Sequence, residues 1–375
     1  MRVIYSIGAK FAGGGIGTTA YHGVRGLHRH GMLHRLLCGS FRPTEIPREK
    51  IRALGLLSRV LRKLAVYDRS EWLRYLHNLL FDAWVSHYLE RVDLFHVWNN
   101  YGLHSLRQAR EMGMTTVVER GSSHPLYQTY LLEEEYARWG LTFHIPQAVL
   151  KHSLAELEMT DYVLIPSDFV RQSFLHYGFP EERLIQVSRG ADVVRFCPSE
   201  QKTSHPFRVL FVGDLSIRKG LPYLLETWKR LGWLDAELWL VGRRHPEVNA
   251  VAKPYRFLPG LRLTGHVINP VALYRQADVF VFPSLEEGSA KVTFEAMASG
   301  LPVVTTHNAG SVVRDGIEGF IVPIRDIDAL AAALEQLRAD ERLRREMSKA
   351  ARARAEQFTW GRYEDHLTDV LRDIC

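Results

Sequence analysis

The chain has 375 residues, 46% of them hydrophobic and 24% charged, with no low-complexity run, so it is an ordinary globular protein with material for two cores. Cys38, Cys197 and Cys375 stand far apart, with no CxxC or Cys/His cluster, which argues against a disulfide framework or zinc site and fits a reducing compartment. The net charge of +6 is uneven: residues 1–80 hold 14 Lys and Arg against four acids, so that end could meet anionic lipid, a phosphorylated acceptor or nucleic acid.

The opening MRVIYSIG lacks the apolar core and cleavage site of a signal peptide. No stretch reaches the ~20 apolar residues of a membrane span. The expected location is cytoplasmic, free or peripheral on the inner face of the plasma membrane.

The first predicted strand, Arg2–Ser6, leads to the loop Ala9–Thr18, AKFAGGGIGT, and a helix towards Gly31. Three consecutive glycines, Gly15 among them, let the backbone approach a ligand, and a helix N-terminus beside them offers free N–H groups to an anion. The loop is not a clean G-x-G-x-x-G, and no acid about 20 residues on suits a dinucleotide ribose, which disfavours a Rossmann dehydrogenase. Residues 51–66, IRALGLLSRVLRKLAV, set Leu54, Leu57, Leu61 and Leu64 at helical spacing among Arg52, Arg59, Arg62 and Lys63, with Tyr67, Trp72, Tyr75 and Trp84 following. A basic amphipathic helix near aromatics fits either an anionic membrane surface, over residues 51–84, or a core-facing helix with a solvated basic face. Nucleic acid has no recognition motif here.

Strands are predicted at Leu94–Trp98, Thr116–Glu119 and Tyr162–Pro166, then, beyond a polar linker at Pro198–Pro206, at Arg208–Val212, Glu237–Val241, Leu261–Thr264, Val279–Phe282, Val303–Thr305 and Phe320–Val322. Helical patterns alternate with them, which predicts two doubly wound α/β domains of parallel sheet. Ligands of such sheets bind beyond the strand C-termini. After Val279–Phe282 come Glu286, Glu287 and Gly288, then Ser289 as a candidate N-cap, a helix Ala290–Ser299 and a stop at Gly300. Glu287 is thereby placed near a helix N-terminus and Glu295 more than a turn inside the helix, an arrangement that suits a sugar nucleotide.

This segment resembles the E-x7-E signature of the retaining glycosyltransferases of family 4, which have the GT-B fold of two Rossmann-like domains facing across a cleft. FVGDLSIRKG (211–220) resembles the family's diphosphate loop, LRLTGHV ending at Val267 its nucleobase strand, RGADVVRFCP (189–198) its domain-linking stretch, and FTWGRYEDHL (358–367) its closing helix. The likeness covers most of 160–375; the first 150 residues share topology and the glycine loop. It implies an acceptor domain over 1–197, a donor domain over 198–358, and return of 359–375 to the first domain.

By this resemblance Arg218 and Lys219 neutralise the donor diphosphate, Glu295 holds the ribose hydroxyls, and Glu287 contacts the donor sugar with the amides of Gly288, Ser289, Ala290 and Lys291. His124, in VVERGSSHPLYQ, is implied near sugar and acceptor; His104 is a rival, and Glu119 and Arg120 are further pocket candidates. The family often has Arg where Asp214 stands, so Asp214 must point away from phosphate. Such enzymes use cations and helix N-termini in place of a metal, which implies no metal and no cofactor beyond the nucleotide-sugar co-substrate; Asp326-Ile327-Asp328 reads as a capping cluster. The implied activity is retaining sugar transfer to a glycan or lipid-linked acceptor. An inert nucleotide-sugar-binding subunit, an epimerase and a phosphorylase are the competing functions. Ser289, Ala290 and Lys291 replace the family's more frequent aromatic and glycine residues, and Lys291 is a candidate contact for an acidic sugar.

Overall fold

The computed structural model describes residues 1–67, 71–199 and 205–375; most of the predicted linker therefore lies outside the described residues. Two parallel sheets form. The first runs β3-β2-β1-β4-β5-β6-β7, from β1 (Val3–Phe11), β2 (Leu33–Phe41), β3 (Ile51–Ala53), β4 (Leu94–Trp98), β5 (Thr115–Glu119), β6 (Tyr162–Ile165) and β7 (Leu184–Gln186). Helices α1 (Ile16–Arg29), α2 (Leu56–Tyr67), α3 (Glu71–His87), α4 (Leu103–Glu111), α5 (Pro125–Arg138), α6 (Gln147–Met159) and α7 (Asp168–Leu175) connect them. The second runs β10-β9-β8-β11-β12-β13, from β8 (Phe207–Val212), β9 (Ala236–Val241), β10 (Leu261–Gly265), β11 (Val279–Phe282), β12 (Val303–Thr306) and β13 (Gly319–Val322). Around it lie α8 (Leu221–Leu231), α9 (Val248–Ala252), α10 (Val271–Arg275), α11 (Lys291–Ala298), α12 (Ile327–Ala339), α13 (Glu341–Glu356) and α14 (Trp360–Asp373).

Parallel sheets are covered on both faces, so their strands read as apolar runs. In β1, Val3, Tyr5 and Ile7 join the core under α1 and α14, while Ile4 joins the core under α3 and α4. Sequence periodicity misses β2, β3 and β7. β2, LHRLLCGSF, mixes His and Arg into a largely buried strand, and β3 and β7 are three-residue edges. β1 also extends to Phe11, because β2 outlasts β4 and pairs with Lys10 and Phe11.

The predicted helix 51–66 begins only at Leu56. Ile51–Ala53 pairs with β2, and Gly55, at φ 74°, breaks the chain between strand and helix. The expected leucine stripe splits accordingly: Leu54 packs on the first domain's core, while Leu57 and Leu64 are exposed.

α14 crosses back to the first sheet. Tyr363, Leu367 and Leu371 enter its core, and Gly26 of α1 lies so near Glu364 that an added Cβ would sit 2.9 Å from its carbonyl oxygen. Buried Glu364 accepts from His22, Arg25 and Arg29, and His22 stacks on Trp360. Burial would raise this carboxyl's pKa, but those donors hold it below the usual range. Asp326 accepts from the Ala329 amide at 2.8 Å, so it caps α12, and Asp328 pairs with Arg230.

Candidate active site

Each sheet reverses strand order once, at β1/β4 and at β8/β11, and such switch points open a crevice beyond the strand ends. The two crevices face each other. In the first, β1 ends in the glycine loop. Gly13 and Gly17 lie against the Lys10 carbonyl, where a Cβ would be 2.7 Å and 2.1 Å from its oxygen; Gly14 and Gly15 have nothing within 4 Å. The loop is thus closed underneath and open above, with Gly15 at φ 62° as the α1 N-cap residue.

In the second, the β8 loop carries Arg218 and Lys219. Gly220 starts α8 at φ 72°, where a Cβ would fall 1.9 Å from the Pro283 carbonyl oxygen. The β11 loop is tied to it: the Leu285 amide donates to the Arg218 carbonyl at 2.9 Å and the Ser284 hydroxyl at 3.2 Å. Adjacent cations meet adjacent acids. Arg218 pairs with Glu286 at 2.6 Å, and Lys219 pairs with Glu287. Burial, with Arg218 alongside, pushes the Lys219 ammonium pKa well down, so this cation relies on an anionic partner. Asp214 meets His245 and Arg243, and the His245 contact holds its carboxyl below the usual range.

α11 starts one residue later than expected. Ala290 occupies the cap position, and Ser289 is not the cap: its carbonyl accepts from Arg189 at 3.2 Å, and its hydroxyl is buried without a partner. The Ala290 amide, expected to be open to donor, is spent on the Ala309 carbonyl at 2.9 Å, and the Glu287 amide on Asn308. Among the described residues, the amides of Gly288, Ser289 and Lys291 have no acceptor in the chain. Lys291 reaches across the cleft and donates to the Gly15 carbonyl at 2.9 Å. Burial, with nearby Arg189, lowers its ammonium to about 8. One turn on, Glu295 accepts from the Tyr274 hydroxyl at 3.0 Å, and burial pushes its carboxyl up. Lys291 and Glu295 line a cavity of about 550 Å³ with Thr18 and His22 of α1 and Arg195 of the linking stretch.

A second cavity, of about 360 Å³, opens beside β4 and β5, lined by Trp98, Asn99, Asn100, Tyr101, Glu119 and Arg120 with Arg62 and Arg74 from α2 and α3. Asn100 holds φ 76°, uncommon for a non-glycine residue, and its buried side-chain oxygen has no partner. Glu156 beneath accepts from Asn99, from the Asn100 and Gly102 amides and from His152.

His124 lies among aromatic rings. It starts α5, stacks on Tyr177 at 4.7 Å and packs edge-on against Phe174, and it lines neither cavity. Burial lowers its imidazole to about 4, so it is neutral at ordinary pH. Its loop does reach the second domain: a Cβ on Gly288 would lie 2.0 Å from the Gly121 carbonyl oxygen. Exposed His104 sits on α4, its amide on Asp82. Val267, past β10, packs on the second core and lines neither cavity. Glu286 escapes sequence reasoning because only its neighbour matches the motif; the doubled acid in LEEGS was its one visible trace.

Two facing parallel-sheet domains with a cationic, amide-lined crevice define the GT-B architecture, and solved structures of that class superpose on the whole chain. Sucrose-phosphate synthase from Thermosynechococcus elongatus matches with a TM-score of 0.70 at 18% identity, covering 100% of this chain and 99% of that one. Anabaena HepE in complex with UDP matches at 0.69 and 16%, covering all of both. Residues 13–195 match the description Glycosyltransferase Family 4 and residues 206–340 Glycosyl transferases group 1. The chain belongs to this family of group 1, family 4 glycosyltransferases. It is 28% identical over 250 residues to the capsular polysaccharide biosynthesis glycosyltransferase CapM of Staphylococcus aureus, covering 60% of this chain and 65% of that protein. It is 32% identical over 234 residues to a D-inositol 3-phosphate glycosyltransferase of Geodermatophilus obscurus, covering 54% of this chain and half of that one. The chain thus spans half to two thirds of these relatives.

Proposed function

We propose that the chain transfers a sugar from a nucleotide-sugar donor to an acceptor hydroxyl with retained configuration. The observation that carries this is the convergence of Arg218, Lys219, Glu287, the open amides of Gly288, Ser289 and Lys291, and the glycine loop on one cleft. Arg218 and Lys219 supply about two positive charges for a departing diphosphate, doing the work a metal ion does at other phosphate sites. A diphosphate taking Lys219 frees Glu287, partly exposed and held otherwise through its backbone, to bind the sugar. Glu295 in its cavity suits the ribose hydroxyls.

In the reaction the anomeric C–O bond to diphosphate breaks, and the acceptor oxygen bonds that carbon on the same face. The acceptor proton passes to the leaving phosphate oxygen. The protein positions both substrates and stabilises the leaving charge. The cavity at Asn99, Asn100 and Arg120 takes the acceptor. UDP bound in the neighbour HepE, and relatives named a capsular polysaccharide biosynthesis glycosyltransferase and a D-inositol 3-phosphate glycosyltransferase, support a nucleotide-sugar donor and a glycan or other hydroxylated acceptor.

The acceptor cavity opens beside α2 and α3, where Leu56, Val60, Leu64 and Trp72 are exposed among Arg59 and Lys63. No described helix is long and apolar enough to cross a membrane. This apolar and basic surface suits peripheral attachment to anionic lipid on the cytoplasmic face and a lipid-linked acceptor. Flotation with vesicles, with and without anionic lipid, tests it; no binding to either overturns it.

The first experiment is a thermal-shift and hydrolysis screen over UDP-, GDP- and ADP-linked sugars. A true donor stabilises the native state by mass action and slowly releases nucleotide. Arg218→Ala/Lys219→Ala then lowers turnover by orders of magnitude; near-full activity would rule the assignment out.

A further inference from the structure

We propose that Glu286 is a positioning residue: it ties the acceptor-side loop of the first domain to Arg218, so that sugar transfer depends on this contact between domains. The inference rests on the donor-site reading above.

The two adjacent acids differ in kind. Glu287 is partly exposed and its carboxylate meets Lys219. Glu286 has no exposed surface and draws partners from both domains: the Ser123 amide at 2.9 Å, the Ser123 hydroxyl at 2.8 Å, Gln128 Nε2 at 2.9 Å and Arg218 at 2.6 Å. An ionised carboxylate offers about four lone-pair sites, so this one is saturated and fixed. Arg218 is fastened a second time, its Nε donating to the Glu286 carbonyl at 3.1 Å.

The chain of contacts continues to the acceptor cavity. Arg120 donates to the Ser123 carbonyl at 3.0 Å, to Gln128 at 2.9 Å and to Asn99 at 2.8 Å. Arg120 and Asn99 line that cavity. Arg120 spends three of its five N–H groups on these bonds. A contiguous polar path therefore runs from the acceptor cavity through Arg120, Ser123 and Gln128 to Glu286 and Arg218.

The charge arrangement says what this path is for. A permanent anion against Arg218 weakens the pull of that arginine on phosphate. A site built for affinity alone would leave the guanidinium free. Here the arginine is oriented at the expense of affinity, which favours the transition state over the bound donor.

The test titrates UDP, GDP and ADP into wild type, Glu286→Gln, Ser123→Ala and the double variant, and measures donor turnover and melting for each. Expected for Glu286→Gln is nucleoside diphosphate binding at least as tight as wild type, with kcat down tenfold or more and donor KM little changed. Ser123→Ala, which removes a contact on the acceptor side of Glu286, lowers kcat several-fold with nucleotide affinity unchanged. The double variant falls no further than Glu286→Gln, because both act through one linkage. Nucleotide binding that weakens in step with turnover, or melting that falls while kcat does not, makes Glu286 interdomain packing only and overturns the proposal. Should Glu286→Gln not fold, Ser123→Ala decides it: an unchanged kcat overturns it. Wild type binding none of the three nucleotides overturns the donor-site reading, and this proposal with it.

Discussion

Two glycines on opposite walls of the cleft give a paired test of how the site is assembled. A Cβ on Gly288 would lie 2.0 Å from the Gly121 carbonyl oxygen, 2.4 Å from its carbon and 3.0 Å from the Ser122 nitrogen. All three are backbone atoms that no rotamer change relieves, so in Gly288→Ala the loop after β11 and the loop at 121–124 must separate. Forcing a methyl into such a contact costs about 1–3 kcal/mol. For domains of this size that is roughly 2–4 °C of melting temperature per kcal/mol. The separation strains the Glu286–Ser123 contacts, so turnover falls, and it displaces the open Gly288 amide, so nucleotide-sugar affinity falls as well. Gly14 is the counterpart. Nothing lies within 4 Å of its added Cβ, and its φ is not positive, so Gly14→Ala leaves melting unchanged or raises it by the ~0.4–1 kcal/mol of lost chain entropy. If the open side of the glycine loop receives the donor, Gly14→Ala still weakens nucleotide binding. Differential scanning calorimetry beside nucleotide titration reads both. Unchanged melting and binding in Gly288→Ala would refute the apposition of the two loops, and unchanged binding in Gly14→Ala would remove the donor from the glycine loop.

Lys291 is lowered to about 8 from its ordinary 10.5. Between those values the unfolded chain holds the proton and the folded chain does not, so this group's penalty on stability is present below pH 8 and relieved as pH rises to 10.5. Donor binding that uses the ammonium should weaken above pH 8, and Lys291→Met should abolish that limb of the titration. Glu286 is held down to about 2 because Arg218, Ser123 and Lys219 outweigh its burial. Its stabilisation, on the order of 3 kcal/mol, is present above pH 4.5 and lost as pH falls towards 2; acid unfolding of Glu286→Gln should show a shallower limb there. His124→Phe, which keeps the aromatic stack with Phe174 and Tyr177, should retain turnover within a few-fold; a tenfold loss would put the imidazole back in the chemistry.

Much of the second domain's wall of the cleft was legible in the chain. Apolar runs bounded by loop residues, with glycine and proline stops, mark β8, β11 and α11 to within a residue or two, because strand and helix punctuation acts over a few neighbours. The same local rules placed Glu287 beyond a strand end and Glu295 in the helix that follows, whereas Arg218 and Lys219 were singled out by the family resemblance. The local rules failed where the deciding neighbour is remote. β2 reads poorly because a central strand answers to helices on both faces. The 51–66 stripe reads as one helix because nothing local reveals that Ile51–Ala53 pairs with β2.

Tertiary structure alone decided the rest. Ser123 and Glu286 are 163 positions apart, and no spacing rule links them. Asp214 pairs with His245 and Arg243, partners that only the folded loops supply. His124 occupies a loop at a strand end, as the sequence says, yet its ring goes to Phe174 and Tyr177 because aromatic packing there is worth more than exposure in the cleft. Sequence determines which residues stand at the mouths of the strands, since that follows from chain order and local geometry. Which of them face each other is set by how two domains close, through burial and charge summed over contacts that no local stretch contains.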